Sequence, residues 1–184
     1  MPFLGRPLIL RIVERLQSLS DEVFVMTNRP EDYAFLGIPL YPDLEPECGT
    51  LGGLAGALQA TKNPLVALAA CDMPFASLSL FKHACDVMIA SGADVVIPST
   101  ATGLEPLHAV YRSGTCLPVI QAALRAGERK VIGWFPKVKV QTLSTEEAAR
   151  YDPQALAFWN LNTPEEFRQA EAQARLAERG QGSV

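Results

Sequence analysis

The sequence predicts an α/β fold in three layers (α/β/α), a mostly parallel twisted sheet packed between helices, and three observations predict it. Short apolar runs alternate along the chain with stretches whose apolar residues recur at helical spacing. The runs stop at loops rich in Pro, Gly, Asn and Asp, as strands buried on both faces do. At 184 residues, with 48% hydrophobic and 20% charged side chains, the chain has the size and composition of one domain able to bury a sheet between two helical layers. We expect a single domain over residues 1–178 and a frayed tail over 179–184.

The elements follow in order. Pro7 to Leu19 carries Leu8, Ile9, Ile12, Val13, Leu16 and Leu19 at helical spacing, with Pro7 at a first-turn position. Glu22 to Thr27 is short, apolar and β-branched, and halts at Asn28-Arg29-Pro30, which predicts a buried strand ending in a loop. Ile38 to Tyr41 reads as a second strand, Pro42 to Gly49 as a loop, and Gly52 to Ala60 as a helix of small residues. Leu65 to Ala70 is a run of apolar residues between Pro64 and Cys71-Asp72-Met73-Pro74, a central strand with Asp72 just past its carboxyl end. Helices follow over Leu78 to Ala90 and Thr115 to Arg125, and strands over Asp94 to Pro98, Leu107 to Arg112 and Val138 to Leu143. Ala157 to Leu161 reads as a last short strand. Thr163-Pro164-Glu165-Glu166 opens the final helix with a capping box, Thr163 as cap and Glu166 three residues on. In such a sheet, ligands bind over the carboxyl ends of the strands, so the loops holding Asn28, Asp43, Asp72 and Asn160 are expected to share one edge.

Composition narrows the classes of function. A formal charge of −4 gives no broad basic face, which disfavours a protein that tracks nucleic-acid phosphates but leaves room for one small phosphorylated ligand. Cys48, Cys71, Cys85 and Cys116 are widely spaced, without a C-x-x-C and beside only two histidines, so neither a zinc site nor a disulfide framework is expected. With no apolar run long enough to span a bilayer and no signal-peptide pattern, we expect no membrane partner and a cytoplasmic location.

Five constellations can carry chemistry. From the residues alone, Asp72 is either a hard oxygen ligand for Mg²⁺ bridging nucleotide phosphates or a turn aspartate after a strand. The run from Gly49 to Gly56, with Gly52 and Gly53 at its centre, permits close backbone approach to a base or phosphate, or equally a Gly-rich turn with tight helix packing. It matches neither a Walker A loop nor a dinucleotide fingerprint. Glu105-Pro106-Leu107-His108-Ala109 offers an acid and a histidine, the histidine more naturally a hydrogen-bonded structural residue than a base. Asn160 and Asn162 place two amides before the last helix, able to orient phosphates or a polar ring, or simply to make the turn. Gly127-Glu128-Arg129-Lys130 adds two cations after a helix end, in reach of an anion or merely solvated.

The order of these pieces resembles the molybdenum cofactor guanylyltransferases over nearly the whole chain: Thr27-Asn28, Asp43, Gly52-Gly53-Leu54-Ala55-Gly56, Cys71-Asp72-Met73-Pro74, Glu105-Pro106-Leu107-His108-Ala109 and Asn160-Leu161-Asn162-Thr163-Pro164-Glu165. The resemblance implies a Rossmann-like nucleotidyltransferase fold and transfer of GMP from GTP to the phosphate of molybdopterin, with release of pyrophosphate. It implies that Asn28 and Asp43 hold guanine or ribose, that Gly52 and Gly53 border the nucleotide, and that Asp72 is the catalytic residue binding Mg²⁺ and the nucleotide phosphates. Asn160 and Asn162 are implied on the pterin or metal side, Arg129 and Lys130 at the molybdopterin phosphate, with cofactor-handover proteins as partners. A sister class on the same architecture transfers CMP or a sugar-linked nucleotide, and a non-catalytic nucleotide- or pterin-binding module is a further alternative. The resemblance breaks at the start, where the family has a strand and a loop of the form L-A-G-G-x-S-x-R-M-G-x-D-K. Without these, we expect a gap or exposed edge in the sheet, apolar surface there and impaired activity of the 184-residue chain. In-frame coding sequence upstream is expected to supply the missing loop.

Overall fold

A two-residue turn opens the chain in the computed structural model, which describes residues 2–181. There β1 (Pro2–Phe3) and β2 (Arg6–Pro7) pair antiparallel through Leu4 and Gly5, both at positive φ, the backbone that matches the twist of a tight hairpin. The hairpin leads into α1 (Leu8–Gln17), whose Leu8, Ile12 and Val13 are buried. Next, β3 (Val25–Met26) lies parallel to β4 (Leu40–Tyr41) in a sheet of two strands. The strand expected over residues 22–27 is therefore laddered only at 25–26, because among the described residues it has a hydrogen-bonding neighbour along one edge only.

The chain continues through α2 (Gly49–Ala60), β5 (Leu65–Ala69), α3 (Leu78–Ser91), β6 (Val95–Thr100), β7 (Gly103–Leu104), β8 (His108–Arg112), α4 (Ser113–Arg125), β9 (Val140–Leu143), α5 (Thr145–Ala149) and α6 (Pro164–Gln181). The main sheet runs β5-β8-β6, with β9 beside β6 and β7 folded back on the end of β6. As expected of a mostly parallel sheet, β5, β6 and β9 run in one direction, while β8 between β5 and β6 is antiparallel to both. The cause is the short return through β7: a strand that comes back without a crossover helix must run the other way.

Helices cover both faces, as the alternation along β6 and β8 requires. Val95, Ile97, Ala109 and Tyr111 pack with Leu51, Leu54, Ile120 and Trp134 on the α2–α4 side, while Val96 and Val110 pack with Leu80, Phe81 and Met88 on the α3 side. A third cluster joins Phe3, Ile12, Leu161, Ala170 and Ala174, holding the hairpin and α1 to α6.

Three expectations at the C-terminal end change. Ala157 to Leu161 is not a strand; Asp152 Oδ2 accepts from the Ala157 amide at 2.7 Å and Trp159 N donates to the Leu156 carbonyl at 3.0 Å, so the segment closes on itself in turns. Helix α6 continues to Gln181, past the point where a tail was expected at 179, and residues 182–184 lie outside the described residues. The short α5 was not foreseen, although Ser144 caps it by accepting from Glu147 N at 3.1 Å. The capping box of α6 forms as expected: Thr163 Oγ1 accepts from Glu166 N at 3.2 Å, and Glu166 Oε2 accepts from Thr163 N at 2.8 Å. The four cysteines are free thiols. Among the described residues, no helix is long and apolar enough to cross a membrane.

A cleft separates the two sheets. Between β3 and β5 lies an apolar cavity of about 310 Å³, in the place where the sequence comparison with the resembling family anticipates a gap.

Candidate active site

Two loop clusters stand past the ends of β3, β4 and β5. In the first, Asn28 and Asp43 hold each other: Asn28 Nδ2 donates to Asp43 Oδ2 at 2.9 Å, and Asp43 N donates to Asn28 Oδ1 at 2.9 Å. The pair is reciprocal because β3 and β4 are in register at Val25–Leu40 and Met26–Tyr41, which delivers both following loops to one edge. The glycines of α2 let the Asp43 loop lie directly on that helix. A Cβ on Gly52 would collide with the carbonyl of Glu45, one on Gly53 would sit 3.1 Å from Asp43 Oδ1, and one on Gly56 would meet Leu44 N at 3.0 Å. Close loop packing is thus what Gly52 and Gly56 serve, while Gly53 borders the free side of the Asp43 carboxylate.

The second cluster is built on Asp72. Just past β5 the chain turns through Cys71-Asp72-Met73-Pro74, and the Asp72 carbonyl accepts from Leu161 N at 3.0 Å. That bond draws the Trp159-Asn160-Leu161 turn onto the Asp72 loop. Asp72 Oδ1 and Asn160 Oδ1 are both buried and have no hydrogen-bond partner among the described residues. Two orphaned oxygens on touching loops are costly unless a ligand completes them.

These oxygens fit a hard divalent cation. A carboxylate and an amide oxygen are the donor types that Mg²⁺ takes, usually as one or two protein ligands beside water and substrate phosphates. Among the described residues, no group of three or more His, Cys, Asp or Glu could cage a metal.

The other expected residues are more dispersed. Asn162 is exposed, and its amide donates to Glu166 Oε2 at 2.7 Å, so its backbone belongs to the cap of α6. Arg129 and Lys130 are exposed after α4, their amides both donating to Glu128 Oε1 at 2.8 Å; no contact joins either to Asp72 or Asn160. His108 is a structural residue. Its Nε2 accepts from Ser77 N at 2.9 Å and its ring stacks on Phe81 at 4.0 Å, which anchors the start of α3 just beyond the Asp72 turn. Burial pulls its pKa down to about 4, leaving it neutral. Glu105 accepts from Thr100 Oγ1 at 2.9 Å.

Sequence reading missed the wall beside Asn160. A cavity of about 370 Å³ is lined by Thr100, Glu105, Asp152, Phe158 and Trp159, and Trp159 stacks with Phe75 at 6.0 Å. Trp159 was visible as a neighbour of Asn160, but its pairing with Phe75 is a long-range contact with no local signature.

The chain is similar to known proteins along most of its length. The profile of the MobA-like NTP transferase domain matches residues 1–141. A molybdenum cofactor guanylyltransferase from Desulfosudis oleivorans is 34% identical over 168 residues, covering 91% of this chain and 82% of the relative. A probable molybdenum cofactor guanylyltransferase from Pelotomaculum thermopropionicum is 32% identical over 173 residues, covering 94% and 83%. Among solved structures, molybdopterin-guanine dinucleotide biosynthesis protein A from Archaeoglobus fulgidus superposes with a TM-score of 0.82 at 24% identity, over 95% of this chain and 89% of that one. A 2-C-methyl-D-erythritol 4-phosphate cytidylyltransferase from Thermus thermophilus shares the fold at a TM-score of 0.63 and 17% identity, over 93% and 90%. With the profile spanning most of its length and relatives above 30% identity along nearly all of it, the chain belongs to the MobA-like NTP transferase family.

Proposed function

We propose that this nucleotidyltransferase moves GMP from GTP to the phosphate of molybdopterin and releases pyrophosphate. The observation that carries the reading is the pair of orphaned oxygens, Asp72 Oδ1 and Asn160 Oδ1, held on touching loops past the end of β5; the relatives' names, molybdenum cofactor guanylyltransferase, supply the guanylyl donor and the acceptor class.

An oxygen of the acceptor phosphate attacks the α-phosphorus of GTP in line; the new oxygen–phosphorus bond forms as the bond to the β-phosphate bridging oxygen breaks, and pyrophosphate carries away the charge. Asp72 would hold Mg²⁺, which when bound would supply neutralisation of the phosphate charge. The protein contributes positioning and electrostatics and needs no nucleophile of its own. Asp43, fixed by Asn28 and bordered by Gly53, presents a carboxylate to the base or ribose. Guanine offers adjacent N1–H and N2–H donors to such an acceptor, whereas cytosine presents only one amino donor, which favours GTP over CTP. Asn160 faces the acceptor side, with Asn162 beside it, and Arg129 and Lys130 are the cations available for the molybdopterin phosphate.

Turnover with Mg²⁺, molybdopterin and either GTP or CTP tests the assignment in a chain extended to include the family's Gly-rich loop. Pyrophosphate release is expected with GTP, and Asp72→Asn is expected to lower it at least about a hundredfold. Preference for CTP, or Mg²⁺-dependent turnover that survives Asp72→Asn, would overturn it.

A further inference from the structure

The cavity beside Asn160 shares an edge with Asp72. Ala69 of β5 pairs with His108 at the start of β8, which brings Glu105 to the edge where β5 ends in the Asp72 turn. The strands that carry Asn28 and Asp43 lie across the cleft, on the other side of β5. At about 370 Å³, the cavity falls within the roughly 300–1,000 Å³ of small-molecule sites.

Its charges are of one sign. The lining holds two carboxylates, Glu105 and Asp152, and no lysine, arginine or histidine. A phosphate placed there would meet negative charge with nothing to answer it, so the cavity suits the uncharged end of a substrate that carries its phosphate elsewhere. The two acids differ in what they have left to offer. Asp152 Oδ2 accepts from Ala157 N at 2.7 Å and closes the turn that holds Ala155 at a φ of 50°, a left-handed conformation that an alanine adopts only at a cost. Glu105 Oε1 accepts from Thr100 Oγ1 at 2.9 Å, while its Oε2 makes no hydrogen bond to another described residue. A carboxylate can accept about four hydrogen bonds, and Glu105 keeps most of that capacity.

Aromatic rings complete the wall. Phe158 and Trp159 both line the cavity and both are half-buried. Phe158 is held edge-on by His108 at 5.4 Å, and Trp159 is stacked on Phe75, which is not in the lining. Fixed aromatic surface beside an acceptor-rich carboxylate suits a flat ring with N–H donors on its edge.

We propose that this cavity takes the ring system of the acceptor substrate, a fused heterocycle that stacks against Trp159 and presents adjacent amino and ring N–H donors to Glu105. The inference rests on the proposed transfer reaction and deepens it, because it names Glu105 and Trp159 as the residues that select the acceptor. A pterin carries those two donors on its 2-amino-4-oxopyrimidine edge, and guanine carries the same pair. The two substrates thus share one recognition edge. Two carboxylates answer it from either side of the Asp72 loop, Asp43 for the donor and Glu105 for the acceptor.

The test is a titration of pterin with the full 184-residue chain, followed by the fluorescence polarisation of the ring. Lumazine is the same ring with a 2-oxo group in place of the 2-amino group, so it turns an acceptor toward Glu105. Pterin is expected to bind at least about tenfold more tightly than lumazine. Glu105→Gln can still accept from Thr100 and can donate to a 2-oxo group; it is expected to abolish that preference. Trp159→Leu is expected to weaken both ligands about equally, and guanosine to displace bound pterin less well than free pterin does. Four outcomes overturn the proposal: no saturable binding of pterin, equal binding of pterin and lumazine, a preference that survives Glu105→Gln, or displacement by guanosine as effective as by pterin. The last would make the cavity a site for the donor's base. No arm uses GTP or turnover. A chain that prefers pterin through Glu105 but releases no pyrophosphate sinks the reaction and keeps the cavity, whereas pyrophosphate release with equal binding of pterin and lumazine does the reverse.

Discussion

Asp72 and Asn160 each bury a side-chain oxygen with no hydrogen-bond partner among the described residues, a penalty of about 1–3 kcal/mol per group in a protein that only has to fold. A residue kept for binding at the expense of stability has a measurable sign. Asn160→Leu is expected to leave the urea midpoint of the ligand-free chain unchanged or higher while abolishing substrate binding; a loss of unfolding free energy of more than about 1 kcal/mol would make the amide structural. His108 likewise buries an Nδ1 without a partner among the described residues, but its Nε2 accepts from Ser77 N and it serves the fold. Its pKa is near 4 in the folded chain against an ordinary 6.5, so between those values the unfolded chain binds the extra proton. Stability is therefore complete above about pH 6.5, falls by on the order of 3 kcal/mol as pH drops to about 4, and levels off below. Unfolding free energies across that window check it, and His108→Phe is expected to remove that part of the slope.

At the scale of elements, what could be read from the sequence is what local chemistry determines. The capping box at Thr163 and Glu166, the helix over α3 and the placement of Asp72 after an apolar run all follow from neighbours in the chain, and all three are present. The direction of β8 was not legible, because it depends on the hairpin return through β7 and on pairing with β5. Nor was the meeting of Asp72 with Asn160, which rests on one backbone bond from Leu161 across the fold. Ser144 and Glu147 did carry the signal for α5, the same spacing that marked α6. The glycines of α2 show the two readings of one motif resolving differently by position: Gly53 faces Asp43, whereas Gly52 presses on the Glu45 carbonyl. Gly52→Ala must displace the loop that carries Asp43. It is expected to cost about 1–3 kcal/mol in denaturant unfolding and to weaken nucleotide binding through Asp43, with no effect expected at the distant β6–β9 pairing.

Apart from the β1–β2 hairpin, the described residues form two sheets sharing one set of helices. The sequence made the three-layer architecture legible through its alternation, and the resemblance to the family anticipated the interruption beside β5. What neither showed is that the α1 wall and the Glu22 bonds to Thr61 and Asn63 hold the halves in place around the cleft. This division has a consequence for cooperativity. A sheet cut in two need not melt as one unit, and the smaller part, β3 with β4, has the fewer ladder bonds. Native-state exchange is expected to show residues 23–41 opening at a lower free energy than β6 and β9, and the calorimetric enthalpy of unfolding is expected to exceed the van't Hoff value. A single coincident transition would mean that the shared helices and the Glu22 bonds couple the halves into one unit. In that light the cleft sets the size of the folding unit, and whatever bridges it turns two transitions into one.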